Sequence, residues 1–171
     1  MLEIEQYKPC LLGLAYRKKY ASFKEAWEQC SRGDWMLWIA AKIAIDIKLL
    51  TLAKGYSAKT VYHLMTDDKS KNAVIAAINF GRGLITLAEL KESADAAADV
   101  AADVAYAAAA AAAADAAADV AADANAAAAA ADANAADANA AAAAKTKNQK
   151  KTADICRKYL TKAVFAALNI T

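Results

Sequence analysis

Apolar residues recur along this chain at spacings of three and four, and strand signals are absent, so the pattern predicts helices throughout. From Trp35 the residues Ile39, Ile43, Ile47 and Leu50 follow at intervals of four, four, four and three, with Trp38, Ile45, Leu49 and Leu52 beside them. Only a narrow stripe around Lys42 and Asp46 looks wet. This predicts a central core helix over residues 34–54, capped by Asp34 and stopped by Gly55. Trp35 and Trp38 are expected to be buried on it, where truncation to alanine costs about 3–5 kcal/mol each.

Shorter helices are expected on either side. Ser22-Phe23-Lys24-Glu25 is a capping box opening a helix to about Ser31, and Gly33 suits the left-handed turn that would close it. Ser57 is expected to begin a short helix carrying Val61, Tyr62 and Leu64, and Asp67 or Asp68 to cap another through Val74, Ile75 and Ile78. Gly81-Arg82-Gly83 then breaks the chain, and Thr86-Leu87-Ala88-Glu89 is a second capping box. A last helix, from about Asn148 to Leu168, carries Ile155, Tyr159, Leu160, Val164, Phe165 and Leu168 back to the body.

Between these parts lies a tract, residues 94–144, of 36 Ala, 8 Asp, 3 Asn, 3 Val and 1 Tyr. Alanine is the best helix former and neither Gly nor Pro interrupts it, so helix is expected. One straight rod would be about 77 Å long, against a radius of gyration of about 15 Å for a compact chain of this length. The tract is therefore expected to fold back as a helical hairpin. Asp95, Asp99 and Asp103 form one ladder, and Asp115, Asp119 and Asp123 repeat it 20 residues later. At about 100° per residue the second ladder is rotated by about 200° on a straight helix, whereas a hairpin lets both face outward. Asp115 and the triplets ending at Asn125, Asn134 and Asn139 are candidate breaks.

The expected fold class is all-α, a compact helical bundle with one long Ala/Asp-rich segment. A single domain would comprise a multi-helix body (1–93), the Ala/Asp segment (94–144), and a basic linker with a C-terminal helix packed on the body (145–171). Composition changes this picture in two ways. The apolar fraction of 59% is largely methyl groups, each worth about 0.8 kcal/mol when buried, so larger side chains outside the tract must supply most of the stability. The net charge of +2 also conceals +4 in residues 1–93, −8 in 94–144 and +6 in 145–171. Flanks that neutralise the tract within the fold explain this segregation, and so does an acidic face reserved for a partner.

Candidate chemistry is sparse. There is one histidine, His63, and three scattered cysteines, Cys10, Cys30 and Cys156; neither Cys-x-x-Cys, His-x-x-x-His nor a phosphate-cradling glycine loop occurs. No catalytic residue, metal site or cofactor is expected, and the chain reads as a non-enzyme. The odd cysteine count and the lack of a leader point to the cytoplasm. Trp35–Leu52 is interrupted by Lys42, Asp46 and Lys48, and the uncharged run Val104–Ala114 has 11 residues, too short to span about 30 Å of bilayer. The basic run Lys145-Thr146-Lys147-Asn148-Gln149-Lys150-Lys151 lacks interleaved aromatics, so direct nucleic-acid binding is not expected.

The block Cys30-Ser31-Arg32-Gly33-Asp34-Trp35-Met36-Leu37-Trp38-Ile39-Ala40, an Ala/Asp-rich tract, and the block Ala153-Asp154-Ile155-Cys156-Arg157-Lys158-Tyr159-Leu160 together resemble the Ala-rich, Imm-5-like immunity-protein family of bacteria and phages. The resemblance implies a small bacterial or phage-encoded protein that blocks a toxin or enzyme by binding it, with no catalytic residue. Gly33, Asp34, Trp35 and Trp38 carry the specific part of the motif and read as turn, cap and core.

Two binding modes are expected to compete. In one, the chain is a stoichiometric inhibitor of a toxin or defence enzyme. In the other, Asp95, Asp99, Asp103, Asp115, Asp119 and Asp123 mimic nucleic-acid phosphates in the basic groove of a nuclease or CRISPR-type effector, since an i, i+4 step of about 6 Å approaches the phosphate spacing. A structural or virion-associated helical protein is a third reading, and oligomerisation through Ala-rich helices stays open.

Overall fold

Asp46 opens a helix where the hydrophobic spacing predicts the middle of one: its carboxylate accepts hydrogen bonds from the backbone N–H groups of Lys48 (2.7 Å) and Leu49 (3.2 Å). The computed structural model describes residues 4–65, 67–101 and 138–170. Among them are seven α-helices and no strand: α1 (Leu11–Arg17), α2 (Phe23–Gln29), α3 (Gly33–Lys42), α4 (Ile47–Lys59), α5 (Asp68–Gly81), α6 (Leu87–Ala101) and α7 (Ala138–Ala167). The all-α class is as the periodicity predicts. The core helix expected over 34–54 is instead two helices, α3 and α4.

The break between them is built from backbone geometry. Ala44 sits in the left-handed region at φ 53°, its N–H bonded to Ala41 O (3.1 Å) while Ile45 N–H reaches back to Ala40 O (3.4 Å). This six-to-one and five-to-two pairing is a Schellman ending. Gly83 and Asn169 end α5 and α7 with the same pairing. Gly55, expected as a stop, lies inside α4, where a Cβ would come within 2.9 Å of Ile78 Cγ1. Its missing side chain lets α5 lie close. Ser57 likewise begins no helix: it is buried in α4 and donates its hydroxyl to Ala53 O (2.8 Å).

The Thr86–Glu89 capping box forms in full and the Ser22–Glu25 one in half, Glu25 Oε2 accepting from the Ala21 N–H (3.1 Å) in place of the Ser22 N–H. Ser22 Oγ accepts from Glu25 N–H (3.1 Å), and Thr86 and Glu89 bond reciprocally, Thr86 N–H to Glu89 Oε2 at 2.7 Å and Glu89 N–H to Thr86 Oγ1 at 3.3 Å. Asp67 caps α5 by accepting from Ser70 N–H (2.6 Å).

Helices α4, α5 and α6 pack in sequence, and α7 closes the other side of α4 while packing on α3 and α2. On α3 the buried stripe is Gly33, Met36, Leu37 and Ala40, the i, i+3, i+4, i+7 face of a helix. On α7 it is Ala153, Cys156, Leu160 and Val164, all fully buried. The two stripes meet at Gly33, where a Cβ would lie 2.4 Å from Thr152 Cβ and 2.7 Å from Ala153 N. Gly33 therefore begins α3 and admits α7, instead of closing the preceding helix.

Trp35 and Trp38, expected inside the core, are half-buried at its edge; the fully enclosed tryptophan is Trp27, 3% exposed, whose indole N–H donates to Thr161 Oγ1 at 2.9 Å. Asp34 is not the cap of α3 but lies in its first turn, paired with Arg32. The basic stretch 145–151, expected as a linker, lies within α7. The Ala/Asp tract enters α6 at one end and α7 at the other, and Asn139, expected as a candidate break, is helical within α7; the hairpin, with its candidate breaks at Asp115, Asn125 and Asn134, lies outside the described residues.

Candidate interaction groove

Ahead of α3, the N-terminal segment, α1 and α2 enclose a groove of about 540 Å³. Cys10 caps α1, its sulfur accepting from Gly13 N–H at 3.4 Å, and the Pro9-Cys10 corner turns the chain over α2 and α3. The walls are mainly apolar and aromatic: Ile4, Pro9, Tyr16, Phe23, Trp27, Trp35, Met36 and Trp38, with Lys8, Arg17 and Asp34 as charged members. Between the lining residues Cys10 and Gly13, the side chains of Leu11 and Leu12 stand 86% and 70% exposed.

The aromatic wall is fixed by specific contacts. The Tyr16 ring lies 5.6 Å from that of Trp35 and 5.0 Å from that of Tyr20, and its hydroxyl donates to Ala26 O at 3.2 Å. Burial, chiefly, pushes the Tyr16 phenol up, so it stays a neutral donor. The Arg32 guanidinium stands 4.4 Å over the Trp35 ring while its Nε and Nη2 pair with Asp34 at 2.9 and 2.6 Å. This two-pronged bond fixes the guanidinium plane against the indole.

Of the three thiols, Cys10 is exposed at the groove and the other two are not activated. Cys30 and Cys156 are buried, and burial is the main cause that raises both above the ordinary thiol value, leaving them protonated at neutral pH. His63 is exposed on the short turn Tyr62–Leu64. Among the described residues no three His, Cys, Asp or Glu side chains gather as metal ligands, and no helix is long and apolar enough to cross a membrane.

The residues singled out from sequence fall into two separate places. Asp34, Trp35 and Trp38 line the groove and Gly33 lies at the α3–α7 contact beneath it. Asp95 is exposed on α6, Asp99 follows one turn later in the same helix, and Asp103, Asp115, Asp119 and Asp123 lie outside the described residues. Sequence reasoning missed Leu11, Leu12, Tyr16 and Arg32. Leu11 and Leu12 adjoin the partly buried Gly13 and Leu14, and nothing local marks which of these leucines faces water. No family model, curated protein or solved structure matches the chain.

Proposed function

We propose that this chain is a non-enzymatic inhibitor of the immunity-protein type, of bacterial or phage origin, that blocks a toxin or defence enzyme by stoichiometric binding through the groove between α1, α2 and α3. The observation that carries the reading is the pair of exposed leucines on α1 beside an aromatic groove. Large apolar side chains exposed next to a concave aromatic surface are the anchors and pockets from which protein interfaces draw their energy. The resemblance of the Cys30–Ala40 and Ala153–Leu160 blocks to immunity proteins suggests the partner class.

Affinity capture from a bacterial host, with wild-type bait beside Leu11→Glu/Leu12→Glu bait, tests this. A one-to-one partner retained at high salt by wild type and lost by the leucine variant is the expected result. A partner that ignores the leucine changes but is lost when Asp95, Asp99, Asp103, Asp115, Asp119 and Asp123 become Asn would instead make the acidic mimic the correct reading.

A further inference from the structure

We propose that a second surface, where α4, the end of α5 and α7 meet, binds single-stranded nucleic acid. It shares no residue with the groove and does not depend on the groove's function.

The surface is assembled by close backbone approaches. Lys48, Leu52 and Tyr56 follow one another at intervals of four on α4, and Lys59 is three residues beyond Tyr56. The end of α5 presses on this row: a Cβ on Gly81 would lie 2.8 Å from Leu52 Cα. Arg82 is thereby laid against Tyr56, donating to its hydroxyl, with the guanidinium carbon 5.7 Å from the ring centroid. From the other side α7 brings Tyr159 into a parallel stack on Tyr56, centroids 5.0 Å apart and planes within 5°. Lys158 Nζ stands 5.2 Å from the Tyr159 ring centroid.

Arg82 and Lys158 thus lie against a stacked and half-exposed tyrosine pair, with Lys59 one turn after Tyr56 and Lys48 two turns before it along α4. All four are exposed, and among the described residues none is paired with a carboxylate, in contrast to Arg32 with Asp34, Lys71 with Asp68 and Arg157 with Asp154. Unneutralised cations interleaved with aromatic rings are what a single strand uses: phosphates meet the cations and unstacked bases meet the rings. An acidic protein segment would use the cations but gain nothing from two coplanar rings, and a duplex keeps its base faces covered.

Fluorescence anisotropy with a labelled oligothymidine of about 12 nucleotides tests the proposal. The expected result is binding that weakens steeply as salt rises from about 50 to 200 mM. Affinity should fall by about tenfold or more in Arg82→Ala/Lys158→Ala and in the charge-reversed Lys48→Glu/Lys59→Glu, each retaining the wild-type circular dichroism spectrum. Tyr159→Leu should weaken the single strand while leaving residual phosphate attraction. No binding at low salt, equal affinity for a duplex of the same length, displacement by equimolar poly-aspartate, or undiminished binding by both charge variants would overturn it.

Discussion

The guanidinium of Arg157 donates to the backbone carbonyl of Cys30 at 2.7 Å, joining residues 127 positions apart. The same Nη1 lies 3.3 Å from Glu28 O and 3.5 Å from Trp27 O, and Nη2 is held by Asp154 at 2.6 Å. The carbonyl end of α2, which no further turn of that helix satisfies, is therefore capped from α7. Gly33 against Thr152 and Ala153, and Cys156 Sγ 3.9 Å from Gly33 O, belong to the same contact. Residues 30–40 and 153–160 are thus the two sides of one contact, in which α3 packs on α7.

Arg157→Leu should lower stability by about 1.5–3 kcal/mol, the range for hydrogen bonds made by a charged group. Urea unfolding measures it. Arg157→Lys should recover only part, because an ammonium cannot span three carbonyls and a carboxylate at once; full recovery would mean that charge alone matters there.

Gly33→Ala places a methyl where Thr152 already is. Overpacking of this kind costs about 1–3 kcal/mol, seen as a lower melting temperature. Adding Thr152→Ala should restore only part of the loss, since the Cβ of residue 152 and the backbone N of Ala153 remain within 3 Å of the new methyl.

Ala44→Gly should raise stability, by up to about 1.6 kcal/mol. Ala44 is exposed with φ 53°, a conformation costing an L-residue about 1–2 kcal/mol, from which the greater unfolded-chain entropy of glycine subtracts about 0.4–1 kcal/mol. An unchanged or lower urea midpoint would show that Ala44 is not strained in solution.

Truncation of the three tryptophans should separate core from groove. Trp27→Ala should cost about 3–5 kcal/mol, and Trp35→Ala and Trp38→Ala distinctly less, because part of each ring is already in water. Equal losses at all three positions in thermal unfolding would contradict the half-buried placement.

The Asp67 and Glu89 carboxyls are held below the usual carboxylate range, Asp67 chiefly by the Ser70 N–H and Glu89 chiefly by the Thr86 N–H. Depressed acids stabilise fully above their unfolded values and lose that contribution as pH falls through the folded ones. Side-chain NMR titrations should therefore give midpoints below the unperturbed values of about 3.9 for Asp and 4.3 for Glu, with the first turns of α5 and α6 fraying together with them.

What the sequence made legible was local chemistry. Ser22 with Glu25, Thr86 with Glu89, and Asp67 announce helix starts because their side chains act within four residues. Gly83 announces an ending by residue type alone. Ala44 ends a helix without any such mark, so an unbroken hydrophobic period ran through residues 43–46 and Asp46 read as a wet position, not a cap. Gly33 and Gly55 were misread as turns because close approach between helices leaves no local trace. The groove and the Tyr56–Tyr159 stack are illegible for the same reason: the groove joins side chains from α1, α2 and α3 and the stack joins α4 to α7, and only packing brings them together.

The central claim, that a partner protein is met at α1 and not on the aspartate ladders, is tested most directly by site-specific photo-crosslinking in the host cell. A benzophenone side chain is placed at Leu12 in one chain and at Asp95 in another, both positions being exposed. A discrete, higher-mass protein adduct should form from position 12 and none from position 95. An adduct from position 95 with none from position 12 would contradict it.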